Sequence, residues 1–144
     1  METKEALYEK LLKEINNSAL FAATNGIVIT EVGEGFATGY MEDTGRTRNH
    51  HGSHHGGALA TMIDTLCGVA AFSMGKNPLT VHGTIEYLRV AKGEIQGKAT
   101  VRKMGSTICV CQASLWNKAG EEVAIGTFSF CFVGDVNMEE KESE

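Results

Sequence analysis

Apolar residues near the start of this chain follow a helical period and then a strand period. In "METKEALYEKLLKEI", Leu7, Leu11 and Ile15 recur every four residues, which predicts an amphipathic helix over residues 3–17 with Thr3 as its cap. The stretches "IVITEV" and "GFATGYM" are short and flank "GEG", a pattern typical of a β-hairpin. Residues 42–55 are polar and predict a loop.

The stretch "GALATMIDTLCGVAAFSMG" predicts a second helix, over residues 57–74, that is apolar almost all round. A surface helix would show a polar stripe, so this helix is expected to be enclosed by other elements. We expect "GKNP" to end it, with Pro78 preventing its continuation.

After Pro78 the pattern predicts four long strands joined by short turns, which favours an antiparallel meander. The last two, "STICVCQASLW" and "EVAIGTFSFCFV", are continuously apolar and are expected to be buried on both faces. A large antiparallel sheet and one enclosed helix together predict an α+β fold in which the sheet wraps around the helix.

Composition narrows the class of protein. The chain has 144 residues and a net charge of −5, of which −4 lies in the tail "DVNMEEKESE". We therefore predict one domain over residues 1–134 and an acidic, disordered tail over residues 135–144. The nearly neutral body lacks a basic field for nucleic acid, and no apolar run is long enough for a membrane span. No signal-peptide pattern opens the chain, so a cytoplasmic location is expected, with the four cysteines as buried thiols of a reducing compartment.

Asp64 is the only charged residue between Gly56 and Lys76. A carboxylate inside an apolar helix is hydrogen-bonded, protonated or lining a cavity. Two interpretations stay open: a structural aspartate bonded to backbone or to a nearby hydroxyl, and a general base or nucleophile in a dry pocket. The histidine-rich loop before the helix raises a third possibility, a metal site.

The "HGG" at residues 55–57 immediately precedes the enclosed helix. First-turn N–H groups lack partners inside a helix, so Gly56 or Gly57 could donate to an oxygen that gains negative charge. Gly56 lies eight residues before Asp64, on the order of 12 Å along one helix. One chain cannot easily bring both groups to the same reacting carbonyl. An active site here therefore predicts an isologous dimer in which antiparallel helices share two sites.

The segment "NHHGSHHGGALATMID" is similar to the N-x-x-G-x-x-H-G-G-x-x-x-x-x-x-D signature of hotdog-fold acyl-CoA thioesterases of the phenylacetate-pathway branch. The resemblance continues through "IEYLRVAKGE" and "GKATVRKMGSTICVCQASLWNKAGEEVAIGTFSF" and covers about residues 20–133. It implies a hotdog fold, a curved antiparallel sheet wrapped around a long central helix. It also implies a homodimer or homotetramer, an acyl-CoA substrate and no metal or other cofactor.

The same resemblance implies roles for individual residues. Asp64 would act on water or on the thioester carbonyl, Gly56 would donate its N–H to the carbonyl oxygen, and His55 would orient the loop. Asn49 would position the attacking water, with Thr80 assisting it. For the substrate, Gly57 and Met62 are expected to contact the bound molecule. Arg89 and Lys92 are candidates for the phosphates of coenzyme A.

Several features leave alternatives to this function. His50, His51 and His54 are not required by the signature; we interpret them as a solvated loop rather than a metal site. Hotdog dehydratases combine a histidine and a carboxylate across a dimer, although the order of Asn49 and Asp64 fits the thioesterase pattern better. A third alternative is a non-catalytic module, which would bind acyl-CoA in the pocket without hydrolysing it.

Overall fold

A computed structural model describes residues 3–135 of the chain. It contains three α-helices and six β-strands in one antiparallel sheet. In chain order the elements are α1 Lys4–Ile15, α2 Phe21–Thr24, β1 Ile27–Gly33, β2 Phe36–Met41, α3 Gly56–Phe72, β3 Lys76–Tyr87, β4 Ile95–Met104, β5 Ile108–Trp116 and β6 Glu122–Asp135. The predicted tail lies outside the described residues apart from its first position, which ends β6.

The predicted helices and hairpin are confirmed. The Thr3 side chain caps α1 by accepting a hydrogen bond from the Ala6 N–H, and Leu11 on the apolar face of α1 is buried. The hairpin of β1 and β2 turns through two residues, with Gly35 at φ 77°, a left-handed conformation that favours glycine. The one helix that the pattern missed is α2, a single turn.

The helix α3 is the centre of the fold, as its apolar sequence predicts. It contacts all six strands, and eight of its residues are buried. The sheet has the strand order β1-β2-β4-β5-β6-β3 and curves around α3. This arrangement confirms the α+β hotdog architecture. Within residues 3–135, no helix has both the length and the apolar character needed to cross a membrane; the cytoplasmic location stays a prediction.

Two expectations about the strands are wrong. Only β4, β5 and β6 form a meander, because β3 pairs with β6 at the far edge and β4 pairs with β2. The connection over residues 88–94 is too long for a tight turn and has to pass the ends of two strands. The other error concerns β5 and β6, which are not buried on both faces. In β5, fully buried residues alternate with half-buried ones, because α3 covers only the inner face of the sheet.

The strand β3 is an edge strand of the sheet and pairs on one side, with β6. Pro78 does not simply follow the helix: α3 ends at Phe72, and Pro78 lies inside β3. An edge strand tolerates proline because half of its N–H groups have no partner strand. Most of β3 is exposed, including the large apolar residues Leu79 and Val81. A long, exposed, apolar edge strand is a surface on which another chain can pair.

Candidate active site

His55 and the two glycines form the N-terminus of α3. His55 is the N-cap, and its Nδ1 accepts a hydrogen bond of 2.8 Å from the Gly57 N–H. The described residues provide no acceptor for the Gly56 N–H. Of the two amides that the sequence offered as oxyanion donors, the Gly57 amide is therefore occupied and the Gly56 amide is free. This supports the choice of Gly56 and makes His55 a residue that fixes the helix start.

Tyr87, at the end of β3, holds Gly56 from the other side. Its hydroxyl donates to the Gly56 carbonyl oxygen at 3.1 Å. A Cβ placed on Gly56 would lie 3.4 Å from the Tyr87 ring, so the ring packs directly on this glycine. Sequence reasoning missed this residue because the contact joins positions 31 apart. The aromatic residue in "IEYLRV" was its only signal.

Asn49 organises the loop before α3. Its side-chain oxygen accepts hydrogen bonds from the His51 N–H, the Ser53 N–H and the Ser53 hydroxyl. The structure thus uses this oxygen to shape the turn over residues 49–53. The predicted contact between Asn49 and the attacking water stays a prediction.

The histidine cluster divides into two kinds of residue. His50 and His51 are exposed, as a solvated loop requires. His54 is not: it is 4% exposed, with Nδ1 2.7 Å from the Thr47 hydroxyl and Nε2 2.6 Å from the Gly93 carbonyl oxygen. Its interpretation as a solvated side chain is wrong, because it ties the loop to the segment after β3. Over residues 3–135, no three His, Cys, Asp or Glu side chains are grouped as metal ligands.

Asp64 and Thr80 meet beside the edge of the sheet. The Thr80 hydroxyl donates to Asp64 Oδ1 at 2.7 Å, so the residues that the resemblance paired are brought together. Asp64 is half-buried rather than enclosed, and it is hydrogen-bonded, which was one of the alternatives for a carboxylate in this helix. The cause of this partial burial is the open edge: the face of α3 that carries Asp64 lies beside β3, and within residues 3–135 no further strand covers it.

Asp64 and Thr80 line a cavity of about 640 Å³ between the N-terminal helices, α3, β3 and β6. Met62 does not line it. Met62 is fully buried on another face of α3, where its methyl group would lie 2.9 Å from a Cβ placed on Gly97. The expected substrate contact of Met62 is therefore not supported, since the α3 residues that line the cavity lie on the Asp64 face. The lining residues are Leu11, Glu14, Ile15, Leu20, Ala22, Asp64, Thr65, Gly68, Val69, Phe72, Asn77, Pro78, Leu79, Thr80, Phe130 and Val133.

Basic residues flank the N-terminus of α3 on two sides. Arg89 and Lys92 are exposed on the segment after Tyr87, and Arg89 lies 3.5 Å from a Glu121 carboxylate oxygen. A second depression of about 220 Å³ lies beside His55 and Gly57 and is lined by Arg46 and Arg48, which sequence reasoning did not single out.

The thiol nearest Asp64 is unsuited to nucleophilic chemistry. Burial raises the pKa of Cys67 from 9.0 to about 12, and the negative charge of Asp64 adds to the rise. A thiol with this pKa stays protonated at neutral pH, and the thiolate is the reactive form. Cys67, Cys109 and Cys111 are fully buried, as predicted, whereas Cys131 is partly exposed.

Comparison with known proteins places this chain in a family. The model of the family described as Thioesterase superfamily matches residues 51–124. The acyl-coenzyme A thioesterase PaaI of Escherichia coli is 33% identical over 102 residues, which are 69% of this chain and 73% of PaaI. A Halobacterium salinarum protein named as an esterase is 37% identical over 90 residues, 55% of this chain and 60% of that protein, so this match spans less than two thirds of it.

Solved structures agree. Escherichia coli PaaI superposes with a TM-score of 0.83 and 28% identity, covering 92% of this chain and 96% of PaaI. A Streptococcus pneumoniae hypothetical thioesterase, solved with coenzyme A, has a TM-score of 0.74 and 26% identity. This match covers 77% of the present chain and 91% of the pneumococcal one. The resemblance inferred from the sequence is confirmed by both kinds of comparison.

Proposed function

Because this chain belongs to the thioesterase superfamily, we propose that it hydrolyses an acyl-CoA thioester to a carboxylic acid and free coenzyme A. One observation carries the proposal: the Asp64 carboxylate, held by the Thr80 hydroxyl, lies at the wall of a large cavity. A purely structural aspartate would be enclosed with its partner, whereas Asp64 is half-buried and faces open space.

The chemistry follows from the two ends of the site. Thr80 donates to Oδ1 of Asp64, which leaves Oδ2 available for a water molecule. As a general base, Asp64 takes a proton from water while the water oxygen bonds to the thioester carbon. The carbonyl oxygen becomes negatively charged and is stabilised by the Gly56 N–H. The C–S bond then breaks, and the thiolate of coenzyme A takes up a proton. If Asp64 attacks directly, water hydrolyses the resulting anhydride to the same products.

The site needs two copies of the chain. Gly56 and Asp64 lie on one helix, on the order of 12 Å apart, too far for both to reach one carbonyl group. The exposed β3 edge, with Leu79 at 57% and Val81 at 58% exposure, offers a surface for pairing with a second copy. A two-fold axis there would bring Gly56 of one copy towards Asp64 of the other. We therefore propose a homodimer with two shared sites; assembly into a tetramer stays a prediction.

Two of the other predicted residues hold the helix start in place, and two basic ones are suited to bind the phosphates of the substrate. His55 holds the Gly57 amide and so fixes the helix start on which Gly56 depends. Asn49 shapes the preceding loop. Arg89 and Lys92 stand beside this end of α3, where the phosphates of coenzyme A would meet solvent-exposed positive charge. Arg46 and Arg48 line the second depression beside His55, where Arg48 is paired with Asp43 at 3.0 Å.

Release of free thiol from purified protein tests the function. We would measure it with acetyl-, hexanoyl-, dodecanoyl- and phenylacetyl-CoA for wild type, Asp64→Asn and Glu31→Gln. Glu31 is an exposed carboxylate on β1, at the opposite edge of the sheet, so its variant is a matched control. We expect wild type and Glu31→Gln to turn over, and Asp64→Asn to lose about 10²-fold or more in kcat.

Three results would count against this assignment. Saturable acyl-CoA binding by wild type without thiol release would show a binding module rather than a hydrolase. Loss of water from a 3-hydroxyacyl-CoA without thiol release would show a dehydratase. Equal rates for wild type and Asp64→Asn would mean that the reacting group lies elsewhere.

A further inference from the structure

Gly68 is an unexpected residue in the middle of α3. A glycine inside a helix lowers stability relative to alanine, because its backbone loses more freedom on folding. Close packing often explains such a glycine, and it does so at Gly97 and Gly126 on the facing strands. There an added Cβ would lie 2.6 Å from the Leu66 side chain and 2.8 Å from the Ile63 side chain.

No such conflict exists at Gly68. An added Cβ would meet only one atom within 4 Å, Cε1 of Phe130 at 3.8 Å, which is ordinary van der Waals contact. Backbone conformation does not demand glycine either, because φ at this position is not positive. Neither packing nor backbone geometry within one copy explains the residue.

The empty space beside Gly68 belongs to the cavity that Asp64 lines. Gly68 follows Asp64 by four residues, so it lies on the same face of α3, about 6 Å further along the axis. A Cβ in a helix points back towards the N-terminus. Any side chain at position 68 would therefore extend towards the Asp64 turn and narrow the cavity where it meets the reacting carboxylate.

The walls beyond this point are mainly apolar. Apolar side chains line the cavity from three elements, α1, α3 and β6: Leu11, Ile15, Val69, Phe72, Phe130 and Val133. Among the residues that the structure describes, the charged ones that line it are Asp64 and Glu14, and none is Lys or Arg. An acyl group with its own carboxylate would be repelled here, whereas a neutral hydrocarbon group would be favoured. The volume, about 640 Å³, is in the range of sites for whole small molecules and far exceeds what an acetyl group fills.

Building on the proposed hydrolysis, we propose that this cavity binds a large, uncharged hydrocarbon acyl group and that Gly68 is the specificity residue that keeps it open. The reacting pair at its wall selects this occupant over a segment of a second copy, since the acyl group must begin at the carbonyl beside Asp64. Each methylene removed from water improves binding by a factor of about 4, so preference should rise steeply with chain length until the cavity is full.

The test uses Gly68→Ala and Gly68→Leu with acetyl-, hexanoyl- and dodecanoyl-CoA, comparing kcat/KM. For wild type we expect dodecanoyl-CoA to exceed acetyl-CoA by about 10²-fold or more. Gly68→Leu should lower the ratio of kcat/KM for dodecanoyl-CoA to kcat/KM for acetyl-CoA by about 10²-fold relative to wild type, with a smaller fall for Gly68→Ala. Acetyl-CoA is thus the control inside each variant. Succinyl-CoA should be a poorer substrate than hexanoyl-CoA for wild type.

Thermal unfolding of each variant shows whether it is folded, and Gly68→Ala should melt no lower than wild type because alanine favours the helix. Equal losses for short and long acyl groups in Gly68→Leu, or no loss at all, would overturn the inference while leaving hydrolysis intact.

A separate measurement decides the inference even if wild type hydrolyses nothing. Titration calorimetry with S-dodecyl-coenzyme A, a thioether with no carbonyl to hydrolyse and no carboxylate beside Asp64, should show binding to wild type that is about 10-fold or more weaker in Gly68→Leu. Equal affinity in the two proteins, or no binding by wild type, would overturn the role of the cavity. Failure of hydrolysis with this difference in affinity intact would overturn only the proposed function.

Discussion

The N-terminus of α3 and its middle are two different kinds of surface on one helix. At the N-terminus, the His55 ring accepts from the Gly57 amide and Tyr87 donates to the Gly56 carbonyl, while no described residue accepts from the Gly56 N–H. In the middle, Asp64 accepts a hydrogen bond from Thr80 and lines a large cavity that Gly68 also lines. The first surface is fixed before any ligand arrives, and the second has room to accept ligands of different length.

This difference suggests a division of labour. Charge stabilisation works best with a donor that needs no rearrangement during the reaction, which the braced helix start provides. Recognition of a hydrocarbon group needs volume and apolar walls, which the middle of α3 provides. The two surfaces are separated by about two turns of helix, and the proposed site therefore draws them from different copies.

The largest effect is expected when each surface is mutated in a different copy of the chain and the two variants are combined in one dimer. His55→Ala damages the N-terminal surface and Asp64→Asn the middle, and each variant alone should be nearly inactive. A mixed dimer contains one site with both changes and one site with neither. Co-refolding equal amounts should restore thiol release to about a quarter of wild type, because half of the dimers are mixed and each has one intact site.

The matched control co-refolds two differently tagged Asp64→Asn chains, which should restore nothing. Tag-based capture establishes that mixed dimers have formed. If they have formed and activity stays absent, the two surfaces do not combine across copies, and the shared site is wrong.

A smaller effect is expected from loosening the N-terminal surface alone. Tyr87→Phe keeps the ring against Gly56 and removes the hydrogen bond to the Gly56 carbonyl oxygen. Since the Gly56 N–H is needed most when the carbonyl oxygen becomes charged, kcat should fall by about 3- to 10-fold, the range of one hydrogen bond. KM should change by less than about 2-fold.

Tyr40→Phe, on β2, is the control for loss of a tyrosine hydroxyl away from this surface. Steady-state kinetics and melting temperature are measured together. A fall in Tm with unchanged kcat would show that Tyr87 only stabilises the fold, and a rise in KM alone would place it in substrate binding.

Sequence patterns predicted the structure correctly wherever it depends on residues that are close together in the chain. The cap of α1, the hairpin turn and the enclosed α3 all follow from local periodicity and turn residues. The partner of β3 could not be predicted, because strand pairing depends on how residues 88–94 cross the sheet. Tyr87 was missed for the same reason.

The helix α3 shows the other limit. Its apolar surface has no stripe to indicate which face meets the cavity, so Met62 and Gly68 could not be distinguished from the sequence. Only the packed structure shows that Met62 is in the core and that Gly68 faces open space. Asp64 and Thr80 were found through a resemblance in their motif, and their 2.7 Å hydrogen bond became evident only in the fold.

The smallest expected effect concerns Cys67, which lies in the middle of α3 and is fully buried. If this region opens only on the Asp64 face, Cys67 stays shielded from solvent. Burial, with the charge of Asp64, raises the pKa of Cys67 from 9.0 to about 12, so the thiol stays protonated to a higher pH in the folded protein than in the unfolded chain. The resulting stability is complete below pH 9 and is lost as the pH rises towards 12. Cys67→Ala should therefore lose less stability over this window than wild type in urea unfolding.

At pH 8, iodoacetamide should label the partly exposed Cys131 before Cys67. Rapid native labelling of Cys67 would show instead that the middle of α3 opens on both sides.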